Sequence, residues 1–218
     1  SVIGLLPKPG ERVAITGCGS SWFMAMCYAA LRESLGHGET DVWVASEYNF
    51  KRKYDRVIAL SRSGTTTEVV EATSKITDPT VVITAITNSP ISANTTEEIV
   101  MPFADEKSVL QTRWATAALG LLRISLGFDL RSIIGDAEKA LASDVSEFVE
   151  LEQISFLGRS WAYGLAQEAA LKTRESAQFW AEAYPALDYR HGPLSISQPG
   201  RGVWVFGEVP ASLLQDIK

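Results

Sequence analysis

Short apolar runs recur along the chain, each giving way to a polar or glycine-rich stretch. Residues 13–16 and 41–45, Arg56–Leu60, Thr80–Thr84 and residues 98–102 are rich in apolar, largely β-branched side chains and read as strands. The unbroken apolar character of Arg56–Leu60 suits a parallel strand buried on both faces. Between these runs the period lengthens. Residues 22–35 are alanine-rich and apolar, with Arg32 and Glu33 near the end and Gly36 as a stop, and predict a helix. Further helices are predicted over residues 68–76, from Glu106 to about Leu126, and over residues 129–152, with a short polar helix after Ser46-Glu47. Strands alternating with helices predict an α/β fold, a doubly wound parallel sheet with helices on both faces. Ligands in such sheets sit beyond the carboxyl ends of the strands.

The pattern then starts again. Residues 154–157 form a strand-like run, and Gly158-Arg-Ser160-Trp161 echoes Gly19-Ser-Ser21-Trp22. Ala169-Ala-Leu171-Lys172 echoes Ala29-Ala-Leu31-Arg32 at an offset of about 140 residues, the mark of a duplicated unit. After the strand-like residues 202–206 only one more helix fits, so the second copy is incomplete. Residues 1–128 are therefore expected to form a first domain, and residues 129–218 a linker helix and the N-terminal part of a second. A unit of two or three strands leaves an edge and an apolar face bare, so the natural protein is expected to continue past Lys218.

Three stretches carry candidate chemistry. The first is the turn Gly17-Cys18-Gly19-Ser20-Ser21, where a helix opening on Ser20 or Ser21 offers free N–H groups and a hydroxyl to an anion. It is not a dinucleotide fingerprint, because Trp22 stands at the third glycine, and no Gly-Lys-Ser/Thr follows. The second is Ser61-Arg62-Ser63-Gly64-Thr65-Thr66-Thr67-Glu68, between a strand and a helix. Hydroxyls, loop amides and a helix N-terminus converge there as in a phosphate cradle. Arg62 could add a bidentate contact; the alternative is an ordinary capping box with spare serines. The third is Glu168, Lys172 and Glu175, spaced four and three apart and so on one helix face, followed by His191 in a loop with Gly192 and Pro193. Two carboxylates, an amine and an imidazole suit proton transfer between carbon and oxygen. The alternative is a solvated helix bearing a common Glu–Lys pair.

Composition narrows the classes. The 218 residues are 46% hydrophobic and 21% charged, the profile of a globular protein. A net charge of −6 argues against bulk nucleic-acid binding. No apolar run approaches the roughly 18 residues of a membrane span, and the first residues show no secretory signal. Cys18 and Cys27 lie on one strand–helix unit, which suits a reducing cytoplasm better than a disulfide framework. With two cysteines and two histidines, no metal site is expected, and no cofactor is called for.

Cys18-Gly-Ser-Ser21, Ala45-Ser-Glu47, Ser61-Arg-Ser-Gly64, Glu106-x-x-Val109-x-x-Thr112-Arg113 and residues 168–193 occur here in the order found in the sugar isomerase (SIS) family. The chain resembles its double-domain members: the isomerase half of glucosamine-6-phosphate synthase, tagatose-6-phosphate ketose/aldose isomerase-like proteins and sugar-phosphate deaminases. The resemblance implies a flavodoxin/Rossmann-like three-layer sandwich, duplicated. It implies that Ser61, Ser63 and Thr66 hold a sugar phosphate, with Arg62, Ser20 and Ser21 nearby, and that Val109 and Gln111 touch the sugar. Glu175 matches the carboxylate that carries a proton between C1 and C2. His191 matches the ring-opening imidazole, which the synthase takes from the neighbouring subunit, so a homodimer is implied. Glu168 and Lys172 match the polar residues beside them. Glu47 and Glu106 match acidic positions read here as structural. Three departures are visible: Arg62 stands where the synthase has glutamine, no amidotransferase domain precedes the motifs, and the tail that brings a lysine into the synthase's sugar site is absent from these residues. The expected activity is aldose–ketose isomerisation, or deaminating isomerisation, of a hexose or amino-hexose 6-phosphate. The alternative is a non-catalytic phosphosugar sensor, since the same fold serves as the effector domain of regulators.

Overall fold

The computed structural model describes residues 2–95 and 97–217. Its contacts divide the chain into two units, Ser1–Leu126 and Gly127–Lys218. Unit 1 runs β1 (Val13–Gly17), α1 (Ser20–Ser34), β2 (Thr40–Val44), β3 (Arg56–Leu60), α2 (Thr67–Lys75), β4 (Thr80–Thr84), β5 (Glu97–Val100) and α3 (Arg113–Ser125). The five strands are parallel in the order β2-β1-β3-β4-β5. Side chains alternate across the sheet, so β3 sends Ile58 and Leu60 to one face and Val57 and Ala59 to the other. The first face packs Tyr28 of α1 and Trp114 and Leu122 of α3, the second Val69 and Ala72 of α2. Two buried faces are the reason the strands read as unbroken apolar runs.

Unit 2 holds α4 (Ile133–Leu141), β6 (Gln153–Gly158), α5 (Ala162–Ala177), β7 (Ala181–Pro185), β8 (Arg201–Phe206) and α6 (Ala211–Asp216). Its parallel sheet is ordered β7-β6-β8, the same start as β2-β1-β3, so the expected duplication with an incomplete second copy is present. The first strand of each unit ends on a glycine without room for a side chain. A Cβ on Gly17 would lie 2.7 Å from Ser21 Cβ, and one on Gly158 2.2 Å from the Ala162 carbonyl oxygen. One sheet face of unit 2 borders an apolar hollow of about 440 Å³ lined by Phe148, Leu151, Phe156, Phe179 and Trp204, among others.

Four expectations need correction. The long helix over residues 129–152 is only Ile133–Leu141, with every residue exposed. An amphipathic stripe with no buried face gains little, and the Asp144 carboxylate accepts the Ser146 N–H in a competing turn. The helix expected from Glu106 begins at Arg113. The short polar helix is a single 3-10 turn, Ala45–Glu47. Strand β7 was not anticipated, because Ala-Glu-Ala-Tyr is weak in strand formers.

Candidate functional site

In unit 1 the crossovers leave β1 in opposite directions towards β2 and β3, so the carboxyl ends of β1 and β3 flank the topological switch point. Both serine-rich turns lie there. The Gly19 N-cap holds φ 55°, Ser20 and Ser21 open α1, and among the described residues no side chain caps that helix. Ser20 and Ser21 are buried, and the Ser21 hydroxyl accepts the indole N–H of Trp114 at 3.0 Å. Ser21 thus joins α1 to α3, and only its own O–H proton remains to be donated.

The turn of residues 61–66 is tightly built. Ser61 Oγ accepts the Gly64 N–H at 3.1 Å and lies 3.1 Å from Thr66 Oγ1. Ser63 Oγ accepts both the N–H and the hydroxyl of Thr65, at 3.2 and 2.8 Å. Gly64 has φ +63°, and a Cβ there would fall 2.1 Å from Ser89 Oγ, so only glycine fits. Thr66 is the N-cap of α2, yet no side chain among the described residues caps that helix. Three hydroxyls and an open helix N-terminus lie together here, an arrangement suited to an anion.

Arg62 meets a neighbouring loop. Its guanidinium donates to the carbonyls of Glu106 and Ser108 and lies 4.0 Å from Asp105 Oδ1. Through Nη1 it therefore reaches the loop of residues 105–112. That loop presents Val109, 91% exposed, and the half-buried Gln111. Glu106 is structural, as read. Its carboxylate takes the N–H groups of Thr112 and Trp114 at 3.0 and 2.9 Å and the Thr112 hydroxyl at 3.1 Å, capping α3. Partial burial works to raise this carboxyl, but hydrogen bonds from Trp114, Arg113 and Thr112 outweigh it and bring it from 4.5 to about 2. A depressed folded value adds stability that is present above the unfolded value and lost as pH falls towards 2. Glu106→Ala should therefore cost about 1–2 kcal/mol at pH 7. Urea titrations should show the gap between parent and variant closing between pH 4.5 and 2. A gap independent of pH would mean the carboxylate is not the cap. Glu47 is exposed.

In unit 2 the helix α5 buries Ala166 and Ala170 against the sheet and carries its charged stripe on another face. Lys172 Nζ sits between the carboxylates, 2.5 Å from Glu175 Oε2 and 3.7 Å from Glu168 Oε1. All three are partly screened, with side chains 19, 33 and 13% exposed. Arg174 donates to the Ala181 carbonyl at 2.7 Å, fixing the end of α5 to β7. His191 follows a 3-10 turn, Asp188–Arg190, donates its N–H to the Asp188 carbonyl at 2.9 Å and is exposed. Among the described residues its imidazole has no hydrogen-bond partner.

One cluster was missed. The Glu182 carboxylate accepts the Trp180 indole N–H at 3.0 Å and the Tyr184 hydroxyl at 2.8 Å. Burial, then the hydrogen bond and charge of Glu182, push Tyr184 up to about 12. The signal was the Trp-x-Glu-x-Tyr spacing, which places all three on one face of an extended strand.

Known proteins give the arrangement a context. No family model matches the chain. Curated relatives include the isomerizing glutamine–fructose-6-phosphate aminotransferases of Sulfolobus acidocaldarius and Haemophilus influenzae. Each is 29% identical over 88% of this chain, covering 36 and 37% of the relative. The chain thus spans little more than a third of the length of these relatives. Among solved structures, glucosamine-6-phosphate deaminase of Thermotoga maritima superposes with a TM-score of 0.78 at 25% identity, over 89% of this chain and 67% of the other. Tagatose-6-phosphate ketose/aldose isomerase of Escherichia coli has a TM-score of 0.80 at 19% identity, over 99 and 68%, a likeness of fold. The chain resembles the isomerase part of the aminotransferases, as its motifs indicated, and its fold is the α/β fold of these phosphosugar proteins. Among the described residues no helix is long and apolar enough to cross a membrane.

Proposed function

We propose that the chain is the phosphosugar-binding part of an aldose–ketose isomerase, deaminating or not, acting on a hexose or amino-hexose 6-phosphate. The observation that carries this reading is the open cradle of Ser61, Ser63, Gly64 and Thr66 at the switch point of the unit 1 sheet. Those hydroxyls and the α2 N-terminus hold the phosphate, with the α1 N-terminus and Ser20 across the crevice. Val109 and Gln111 face the sugar.

In the reaction proposed, His191 moves a proton to open the ring. Glu175 takes the proton from C2 of the open aldose as O1 takes one from solvent, giving an enediol, or an enolamine from an amino sugar. The same carboxyl returns the proton to C1 as O2 gives its proton to solvent, which yields the ketose; from the amino sugar the nitrogen loses the proton instead, and water hydrolyses the resulting imine to the ketose and ammonia. Lys172 and Glu168 hold Glu175 in place. A homodimer in which His191 serves the partner's site belongs to the same reading. A phosphate anchor keeps the reacting carbons beside the base, and such orientation is worth several kcal/mol.

The deciding experiment is turnover on a panel of hexose and amino-hexose 6-phosphates with ammonia release monitored. Tight binding without turnover of any member would favour the sensor reading. Ser63→Ala is expected to raise KM roughly tenfold while changing kcat far less, because the phosphate is held in ground and transition states alike. A kcat that falls with KM unchanged would put Ser63 at the reacting carbons instead.

A further inference from the structure

We infer that Arg62 is a positioning residue: it clamps the loop of residues 105–112 onto the anion cradle and leaves the anion to its neighbours. Arg62 sits between Ser61 and Ser63. Its own carbonyl accepts the Thr84 hydroxyl at 3.0 Å and the Ala85 N–H at 2.9 Å, so its backbone is pinned to the end of β4. From that fixed base the side chain, 18% exposed, runs to the carbonyls of Glu106 and Ser108 and to Asp105.

The loop needs such a clamp. At its far end the Glu106 carboxylate ties Thr112 and Trp114 to the start of α3. Apart from the Arg62 contact, the hydrogen bond seen among the described residues between them is local, Leu110 N–H to Ser108 Oγ at 3.1 Å, and Val109 projects into solvent. One guanidinium nitrogen, Nη1, faces both carbonyls and the Asp105 carboxylate, and its charge strengthens each contact. A glutamine at position 62 is shorter and uncharged, so it would hold these carbonyls less firmly. The cradle hydroxyls meanwhile are organised within the turn, on Gly64 and Thr65, without help from the guanidinium. Arg62 therefore sets the distance between the group that would hold a phosphate and the loop that would read the sugar. That last clause rests on the proposed function; the clamp does not.

The test uses the 218-residue chain, R62Q and R62K. Amide exchange is followed at Leu110 and Thr112, and binding of inorganic phosphate and of fructose 6-phosphate is measured by calorimetry. R62Q is expected to speed exchange at both amides roughly tenfold, as loss of a charge-assisted hydrogen bond implies. Its phosphate Kd should stay within about twofold while its fructose 6-phosphate Kd rises about tenfold. R62K, which keeps charge but loses the guanidinium, should fall between and guards against a variant that merely fails to fold. Unchanged exchange in both variants would overturn the clamp. So would phosphate affinity falling as far as that for fructose 6-phosphate, since Arg62 would then touch the anion. If the parent binds neither ligand, the proposed function fails, and the exchange result still decides the clamp.

Discussion

Replacing Arg32 by leucine is expected to remove about 3–5 kcal/mol from the stability of unit 1. Arg32 is fully buried near the end of α1. Its Nη1 donates to the Gly38 carbonyl at 3.0 Å and to Thr40 Oγ1 at 2.9 Å, and its Nη2 to the carbonyls of Lys8 at 2.8 Å and Glu11 at 2.9 Å. One side chain thus ties the last turn of α1 to the entry of β2 and to the segment before β1. The neighbours are carbonyl dipoles, and the C-terminal end of a helix also favours a cation. Leucine would fill much of the space but leave those buried acceptors without donors. Domains of this size are stable by only about 5–15 kcal/mol, so such a loss is visible in any melt. Arg32→Lys should lose less, because it keeps a charge and some donors. Urea unfolding of parent and both variants reads this directly, and a loss below about 1 kcal/mol for leucine would show the network to be idle.

Arg32 also marks what could be seen in the sequence and what could not. Strands β3 and β4 were bounded correctly because burial on two faces makes their apolar runs continuous. The duplication was visible because both units need a glycine and small residues where strand turns into helix. A charged residue near the end of an alanine-rich helix looks solvated, and nothing local says that Arg32 is enclosed by carbonyls from two other segments. Arg62 was legible as part of the Ser-Arg-Ser-Gly turn, but not its direction, which depends on a loop more than forty residues away. The helix expected over residues 129–152 failed for the opposite reason. Its amphipathic period is real, but period alone does not supply a surface to pack against. Within the candidate site, spacing gave the Glu168–Lys172–Glu175 stripe because helix geometry is local.

Glu175→Gln is expected to lower turnover of a hexose 6-phosphate about a hundred- to ten-thousandfold, the usual cost of losing a general base. The substitution keeps shape and one hydrogen-bond acceptor towards Lys172, 2.5 Å away in the parent, and Lys172 retains Glu168 at 3.7 Å. The helix should therefore stand, and binding anchored by the cradle of residues 61–66 should survive. His191→Asn should fail differently. If the imidazole opens the ring, the variant slows on the cyclic sugar and stays close to parent on an open-chain analogue, whereas Glu175→Gln slows on both. Because His191 is proposed to act in the partner's site, a mixture of the two variants should regain part of the activity as subunits exchange. The two single defects then fall in the same composite site of the mixed dimer, leaving its other site whole. In the simplest random mixture of equal parts, half the dimers are mixed and carry one intact site each, so recovery approaches about a quarter of parental activity. Recovery that never exceeds the mean of the two variants would place Glu175 and His191 in one subunit's site. Parental turnover in both variants would remove α5 and the His191 loop from the chemistry altogether.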